Sequence, residues 1–388
     1  MAKIENVKWL YGFIHGLGEF EIKHGRKTLY GLINTAGEIV LEPQPKGLHI
    51  CDEKQVMLFR DRRIKGDKDI VLNLEMRETY SAERYYAEKY GSAITCQKGK
   101  GFGTVDVDRN TVIPHQYRIL HSRDGLLFVA CNRKNKYGIL DNKGNEKCVF
   151  AYDQISYYHN LPIRISVRQG AEWFVIDHEG RQLTQRRGSL SADYFLGPVT
   201  PRGYAIFSEL RRGNLFYGVL DVARDEVVIP AGYAELRWLD KYPDSGGWTR
   251  IVARKDDFDL TREEVLTLDG EYALPQVYGE IKDYFGGNYI VKSCAGGIYP
   301  NESFYGVVDE SGNTIIPFEF DNIWSYYHNS YNVCHYDTDK SGLYSLTGET
   351  ILTCEYDNVI VGDTLDYIAV CKNGEWYYVN RRGKRVLL

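Results

Sequence analysis

The chain has 388 residues, 43% of them apolar and 26% charged, with a formal charge of −5. This composition excludes a wholly disordered or fibrous chain, and the mild acidity argues against non-specific nucleic-acid binding, which needs concentrated Lys and Arg. Tyrosine is over-used, with 31 residues against 3 Met and 11 Pro, and a residue with an apolar body and a wet tip points to strands.

The opening residues, Met1 to Lys8, are charged and lack an apolar core, so no signal peptide is expected. No apolar stretch reaches membrane-spanning length, and no membrane partner is expected. The eight cysteines then read as reduced thiols of a cytoplasmic protein.

From residue 7 onward the chain reads as a series of short repeats. Residues 7–24 look like the last two strands of a repeat. Tyr30-Gly31 follows, with Asn34 and Gly37. A degenerate copy starts near Ile70-Val71-Leu72-Asn73 and contains Ser81 to Lys89, the best helical candidate. Phe102-Gly103 brings Asp106, Pro114 and Tyr117; Tyr137-Gly138 brings Asp141, Gly144, Tyr152 and Asp153. Phe174 fills the glycine slot ahead of Asp177 and Gly180. Tyr217-Gly218 brings Asp221, Pro230 and Tyr233, and Glu264 fills the slot ahead of Gly270 and Tyr278. The clearest copy is Tyr305-Gly306-Val307-Val308-Asp309, with Gly312, Ile316-Pro317 and Phe320-Asp321. Gly342 follows, with Gly348 and Tyr356-Asp357. Residues 377–388, with Tyr377 in the slot, close the chain as a half-repeat. The slots stand at about 31, 70, 103, 138, 174, 218, 264, 306, 342 and 377.

Each repeat makes sense as antiparallel β structure. An apolar run ends in Asp or Asn, Gly comes three positions on, and a β-branched run follows, which is hairpin punctuation. Pro is expected to end the second strand, the Tyr-Asp-x-Ile step to start a third, and runs such as Phe128 to Cys131 or Asn332 to Cys334 to form a fourth. The fold class is therefore all-β: one repeat domain, 1–388, of about ten short antiparallel units. A chain that starts with half a repeat and ends with the other half fits a closed propeller-like ring whose first and last strands pair. An open β-solenoid or superhelical array is the alternative.

The aromatic-Gly, Asp, Gly, Ile-Pro, Tyr-Asp frame resembles the WG-repeat family, found mainly in bacteria, with Tyr or Phe where that family often has Trp. The resemblance covers nearly the whole chain, is strong in five repeats and poor between 66 and 100. It implies a bacterial β-repeat scaffold that binds proteins, and it carries over no catalytic residues.

The residues themselves point away from catalysis. Cys96, Cys131, Cys334 and Cys371 recur at one position of the repeat, and equivalent positions lie too far apart to share a metal ion. Cys51, Cys148, Cys294 and Cys354 are scattered, so buried core thiols are expected and no metal or cofactor is. Asp106, Asp141, Asp177, Asp221 and Asp309 recur because each hairpin turn needs one, whereas a catalytic pair needs two in one place. No helix follows Gly101-Phe102-Gly103 to make it a phosphate loop, and no Gly-x-Ser-x-Gly elbow is present.

One feature exceeds the needs of the repeat. Ser156-Tyr157-Tyr158-His159-Asn160 returns as Ser325-Tyr326-Tyr327-His328-Asn329, in equivalent loops. The same loop elsewhere contains Trp238, or Tyr284 and Phe285. Equivalent loops share one face, so Tyr157, Tyr158, His159, Asn160, Tyr326, Tyr327, His328, Asn329, Tyr284, Phe285 and Trp238 are expected to form an aromatic recognition surface. The alternative is that they pack between neighbouring repeats. The function expected is a non-enzymatic scaffold that binds another protein. Two other readings stand beside it: a small-ligand receptor or enzyme with its site at the centre of the ring, and a nucleic-acid binder using Arg60-Asp61-Arg62-Arg63 and Arg381-Arg382-Gly383-Lys384-Arg385.

Overall fold

The structure, a computed structural model, describes residues 4–52, 55–59, 67–73, 78–82, 84–90, 93–106, 110–122, 127–157, 164–188, 194–239, 248–255, 262–294, 303–326 and 330–387. Ten small antiparallel sheets follow one another along the chain, and the described residues contain no helix. Sheets 1 to 5 span 7–44, 48–82, 84–117, 119–152 and 154–177, and sheets 6 to 10 span 194–233, 235–266, 280–320, 322–356 and 358–387. Each is a meander of sequence-adjacent strands, the blade of a β-propeller. All ten glycine slots fall on the third strand of their sheet. The degenerate copy at Ile70 is the strand Asp69–Asn73. The helical candidate Ser81 to Lys89 is instead part of the strands Glu78–Ala82 and Arg84–Tyr90. The latter pairs with Ala93–Lys98, and this strand pairing outweighs local helix propensity.

The slot needs glycine because the fourth strand bulges over it. In sheet 8, Tyr305 pairs with Phe320 and Val307 with Ile316, so two residues of one strand oppose four of the other. A Cβ on Gly306 would lie 2.9 Å from the Ile316 carbonyl oxygen; on Gly103 it would lie 2.4 Å from that of Ile113. In two of the four sheets where a side chain fills the slot, the fourth strand retreats. Among the described residues, sheets 5 and 7, with Phe174 and Glu264 there, have three strands, followed by isolated bridges such as Trp173 to Arg187 and Leu266 to Tyr272, while sheets 2 and 10, with Ile70 and Tyr377, keep four. Proline sits inside the bulged strand, as Pro317 does in Thr314–Phe320, and does not end it. An edge strand with a bulge has no partner for the missing N–H.

The turn chemistry is as the sequence indicates. Asp309 Oδ1 accepts the Ser311 and Asn313 amides at 2.9 and 2.8 Å, and Gly312 adopts φ 83°. Asp141, Asp177, Asn34 and Asn380 cap their turns in the same way. The side-chain bond from Asn313, with the backbone amides, holds the Asp309 carboxyl below its ordinary range.

The Tyr-Asp step is a boundary between sheets. The fourth strand of sheet 8 ends at Phe320 and sheet 9 begins at Asn322, leaving Asp321 as the whole connection. The blade therefore takes two strands before the one that carries its slot and, where complete, one after it. Residues 7–24 are the first two strands of a complete sheet 1, and 377–387 complete sheet 10. The expected pairing of first and last strands gives way to packing of one sheet's face on the other.

The chain divides into two compact units, residues 1–78 with 275–388, and residues 79–274. In each, the core lies between successive sheets. In the first unit, Ile290, Val307, Ile316 and Phe320 of sheet 8 meet Ile323, Tyr331 and Val333 of sheet 9, and sheet 9 meets sheet 10 through Leu343, Leu352, Ile368 and Val370. Sheet 10 meets sheet 1 through Tyr378, Ala369, Phe13 and Phe20. In the second unit, Val219, Ile229, Leu236, Ile251 and Leu266 join sheets 6 and 7. Full burial of each such side chain contributes ~1.5–3 kcal/mol. Among the described residues no helix is long and apolar enough to cross a membrane.

Candidate functional site

In an antiparallel meander, the loop from first to second strand and the turn from third to fourth lie at the same end. In sheets 8 and 9 of the first unit these loops are braced into one polar and aromatic rim. Gly286 and Gly287, at φ 62° and 84°, turn the chain between Glu280–Phe285 and Asn288–Lys292. Asn288 Nδ2, buried, donates to the Leu346 carbonyl at 2.9 Å and to Tyr331 Oη at 3.2 Å. Tyr331 in turn donates to the Phe285 carbonyl at 2.9 Å. Burial pushes its phenol up to about 12, so it remains a donor. Tyr284 donates to Glu310 Oε1 at 2.6 Å, in the neighbouring turn. Ser325 donates to Asp283 Oδ2 at 2.7 Å, tying sheet 9 to sheet 8.

Below the rim, Lys282 Nζ donates to the Ile323 carbonyl at 2.6 Å and to Asn322 Oδ1 at 2.5 Å, beneath the rings of Tyr305 and Trp324. Burial lowers its pKa, against the opposing pull of Glu280 and Asp283. The hairpin Asn322–Tyr326 to Ser330–His335 is thus anchored on both sides of its loop, with Tyr326 directly opposite Ser330.

The residues proposed from sequence are placed unevenly. Tyr158, His159, Asn160, Tyr327, His328 and Asn329 lie outside the described residues. Tyr157 is half-buried and packs on the cluster of Ile139, Cys148, Tyr152 and Ile165. Trp238 is 2% exposed, edge-on to Trp248 at 6.0 Å, and so belongs to the core between sheets 6 and 7. Tyr284 is 8% exposed against Tyr289. Phe285 lies half-buried, edge-on to Tyr331. Trp238 and Tyr284 are therefore taken out of the expected surface by apolar packing; half-buried Phe285, Tyr326 (whose side chain lies outside the description) and residues 158–160 and 327–329 remain candidates. Asn288, Tyr331 and Lys282 were missed by the sequence reading. They share no repeated position, and only a long aromatic or polar residue beside a Gly-Gly turn could have drawn notice.

The described cysteines are all free thiols. Cys131, Cys334 and Cys371 are buried opposite the residue before their slot, whereas Cys96 is buried opposite Gly103 itself, one register off. The fourth member of the expected set thus faces the other side of its sheet, where its sulfur meets His115 Nε2 at 3.1 Å. Burial pushes the thiols of Cys131, Cys334 and Cys371 up, away from thiolate reactivity. The second basic cluster lies on the last turn, where Asn380 caps and Arg385 pairs with Glu375 at 2.8 Å; the first lies outside the described residues.

The fold and rim define a β-propeller built from hairpin repeats. One solved likeness supports the fold: a eukaryotic initiation factor matches with a TM-score of 0.52 at 11% identity, over 84% of this chain and 90% of its own. An uncharacterized protein from Listeria monocytogenes (13% identity, 90% and 95% coverage) and Hsv2 from Kluyvelomyces marxianus (12%, 66% and 89%) match with TM-scores of 0.34 and 0.35. The family model of the WG containing repeat matches residues 30–44 and 305–334, so these two segments are similar to WG-type repeats. No curated protein matches the sequence.

Proposed function

We propose that this propeller is a non-enzymatic scaffold of the cytoplasm that binds another protein through the loops at 158–160 and 327–329. A propeller of WG repeats suits protein interaction in general. The observation that carries the finer reading is the bracing beneath the second loop. Lys282, Ser325, Tyr331 and Asn288 tie its hairpin to sheet 8 through four side-chain contacts. A rigid base lets the Tyr and His side chains of such a loop bind without a large ordering cost. The recurrence of the same five residues at 156–160 and 325–329 gives two such loops.

The test replaces His159 and His328 by Ala together and compares what co-purifies from the native cell by quantitative mass spectrometry. A specific protein lost from the double variant, with the melting temperature unchanged, supports the reading. An unchanged set of co-purifying proteins rejects it.

A further inference from the structure

The Asp between successive sheets has a cationic partner at two junctions. Asp153 faces Lys136 Nζ at 2.5 Å, and Asp357 faces Lys340. Both lysines stand two residues before a glycine slot, and the second oxygen of each Asp accepts an amide of the following hairpin, from Gly170 at 2.9 Å and Gly374 at 3.0 Å. At the junction of sheets 8 and 9 the lysine position is Phe304. Asp321 keeps the amide bond, from Tyr336 at 2.7 Å, but no lysine or arginine pairs with it among the described residues.

In place of that ammonium the fold brings up two more ligands. One ligand atom each from Asp321, His335 and Asp337 lies within 4.8 Å of the others. Asp321 and His335 are half-buried and Asp337 is exposed. The His335 ring rests on Phe320, with centroids 5.0 Å apart, and Asp337 is turned by its bond from the Thr338 amide at 2.8 Å. Two carboxylates and an imidazole thus converge at the position where sister junctions hold a positive charge.

We propose that Asp321, His335 and Asp337 bind a divalent transition-metal ion, with Zn²⁺ the best match. Zn²⁺ accepts imidazole nitrogen and carboxylate oxygen at ~2.0–2.2 Å, whereas Mg²⁺ and Ca²⁺ favour all-oxygen sets. Tetrahedral ligands at that bond length lie about 3.3 Å apart, so binding draws the hairpin tip toward Asp321 by an ångström or two on the order of the present gap. Three protein ligands leave a fourth position to water. The ion would clamp the hairpin His335 to Lys340 onto the sheet boundary, whereas in the sister junctions the lysine ties the Asp to the preceding sheet and only an amide holds the following hairpin.

The experiment uses the full chain, stripped with a chelator and titrated with Zn²⁺ by calorimetry and with Co²⁺ by absorption. The expected result is one stoichiometric site, weakened roughly tenfold or more by His335→Gln and by Asp337→Asn. Co²⁺ should show visible d–d bands without the near-ultraviolet thiolate band. Phe304→Lys, which restores the sister arrangement, should also weaken Zn²⁺ binding while keeping or raising the melting temperature. Absence of a stoichiometric site, wild-type affinity in His335→Gln, or a thiolate band that assigns the metal to cysteine overturns the proposal. If Phe304→Lys fails to fold, the other two variants decide.

Discussion

Two junctions of the first unit solve the same problem with different materials. Where the chain ends meet, sheet 10 packs on sheet 1 through backbone and rings. The Asp363 amide donates to the Phe13 carbonyl at 2.6 Å, and Tyr378 donates to the Tyr11 carbonyl at 2.8 Å. Trp9 lies 4.8 Å from Trp376, and Phe13 lies 4.9 Å from Tyr378. The backbones of Gly12 and Gly362 touch, leaving no room for a Cβ on either. Between sheets 8 and 9, which are covalently continuous, polar side chains add to the shared apolar core: Lys282, Ser325, Asn288 and Tyr331. Joining residues more than 340 positions apart carries a chain-closure cost that a one-residue connection does not. The end-to-end junction meets it with close-packed apolar area, and the continuous junction is free to spend its surface on polar groups that brace a loop.

The sharpest way to break this contrast is Gly362→Val. A Cβ there would lie 2.2 Å from the Phe13 carbonyl oxygen and 2.3 Å from its nitrogen. The expected loss is about 3 kcal/mol or more, read from the urea midpoint. An unchanged midpoint would show that the two faces can part without loss.

Next comes a pH effect beside the same junction. Glu19 accepts the Ile50 amide at 3.0 Å, and burial pushes its carboxyl up to about 7 from 4.5, partly opposed by that bond. The folded chain thus holds this proton where the unfolded chain has lost it. Stability should therefore fall as pH rises from about 4.5 to 7, by at most ~3 kcal/mol from this group. Glu19→Gln should flatten that part of the profile, and a profile that stays as steep in the variant would point to other groups.

The smallest expected effect is a matched pair of hydroxyl deletions. Tyr378→Phe and Tyr331→Phe should each cost ~1–2 kcal/mol, since each orphans a carbonyl. Amide exchange should separate them: the first should loosen sheets 1 and 10 together, the second only sheets 8 and 9. Identical exchange maps would erase the distinction between the junctions.

Much of the fold was legible because the repeat marks positions where only one residue type fits. Gly306 and Gly103 are required by a carbonyl pressed against them, and Asp309 and Asp141 by a turn that needs an acceptor. The phase of the blade was not legible. A single Asp321 carries the chain from sheet to sheet, and on the page such a short step looks like any hairpin link. The rim was legible only in part. Trp238 and Tyr284 stand at the ends of strands Glu235–Trp238 and Glu280–Phe285 and not in the loops expected, and their rings turn inward because Trp248 and Tyr289 offer apolar surface there. Their place in the repeat could be read from position, and the direction of the ring depended on a neighbour on the returning arm that the repeat frame does not mark. The Asp321, His335 and Asp337 convergence escaped notice because it joins a sheet boundary to a hairpin tip.

The bulged fourth strand also bears on how these molecules behave when crowded together. In sheets 1, 3, 6 and 8 the strand that forms the last edge carries Pro43, Pro114, Pro230 or Pro317 at its kink. A proline presents no N–H, and surplus residues break the even spacing of the rest. Such an edge is a poor template for a strand from another chain. The feature that demands glycine on the third strand thus also protects the fourth from aggregation, and the same bulge recurs in sheets 4 and 9.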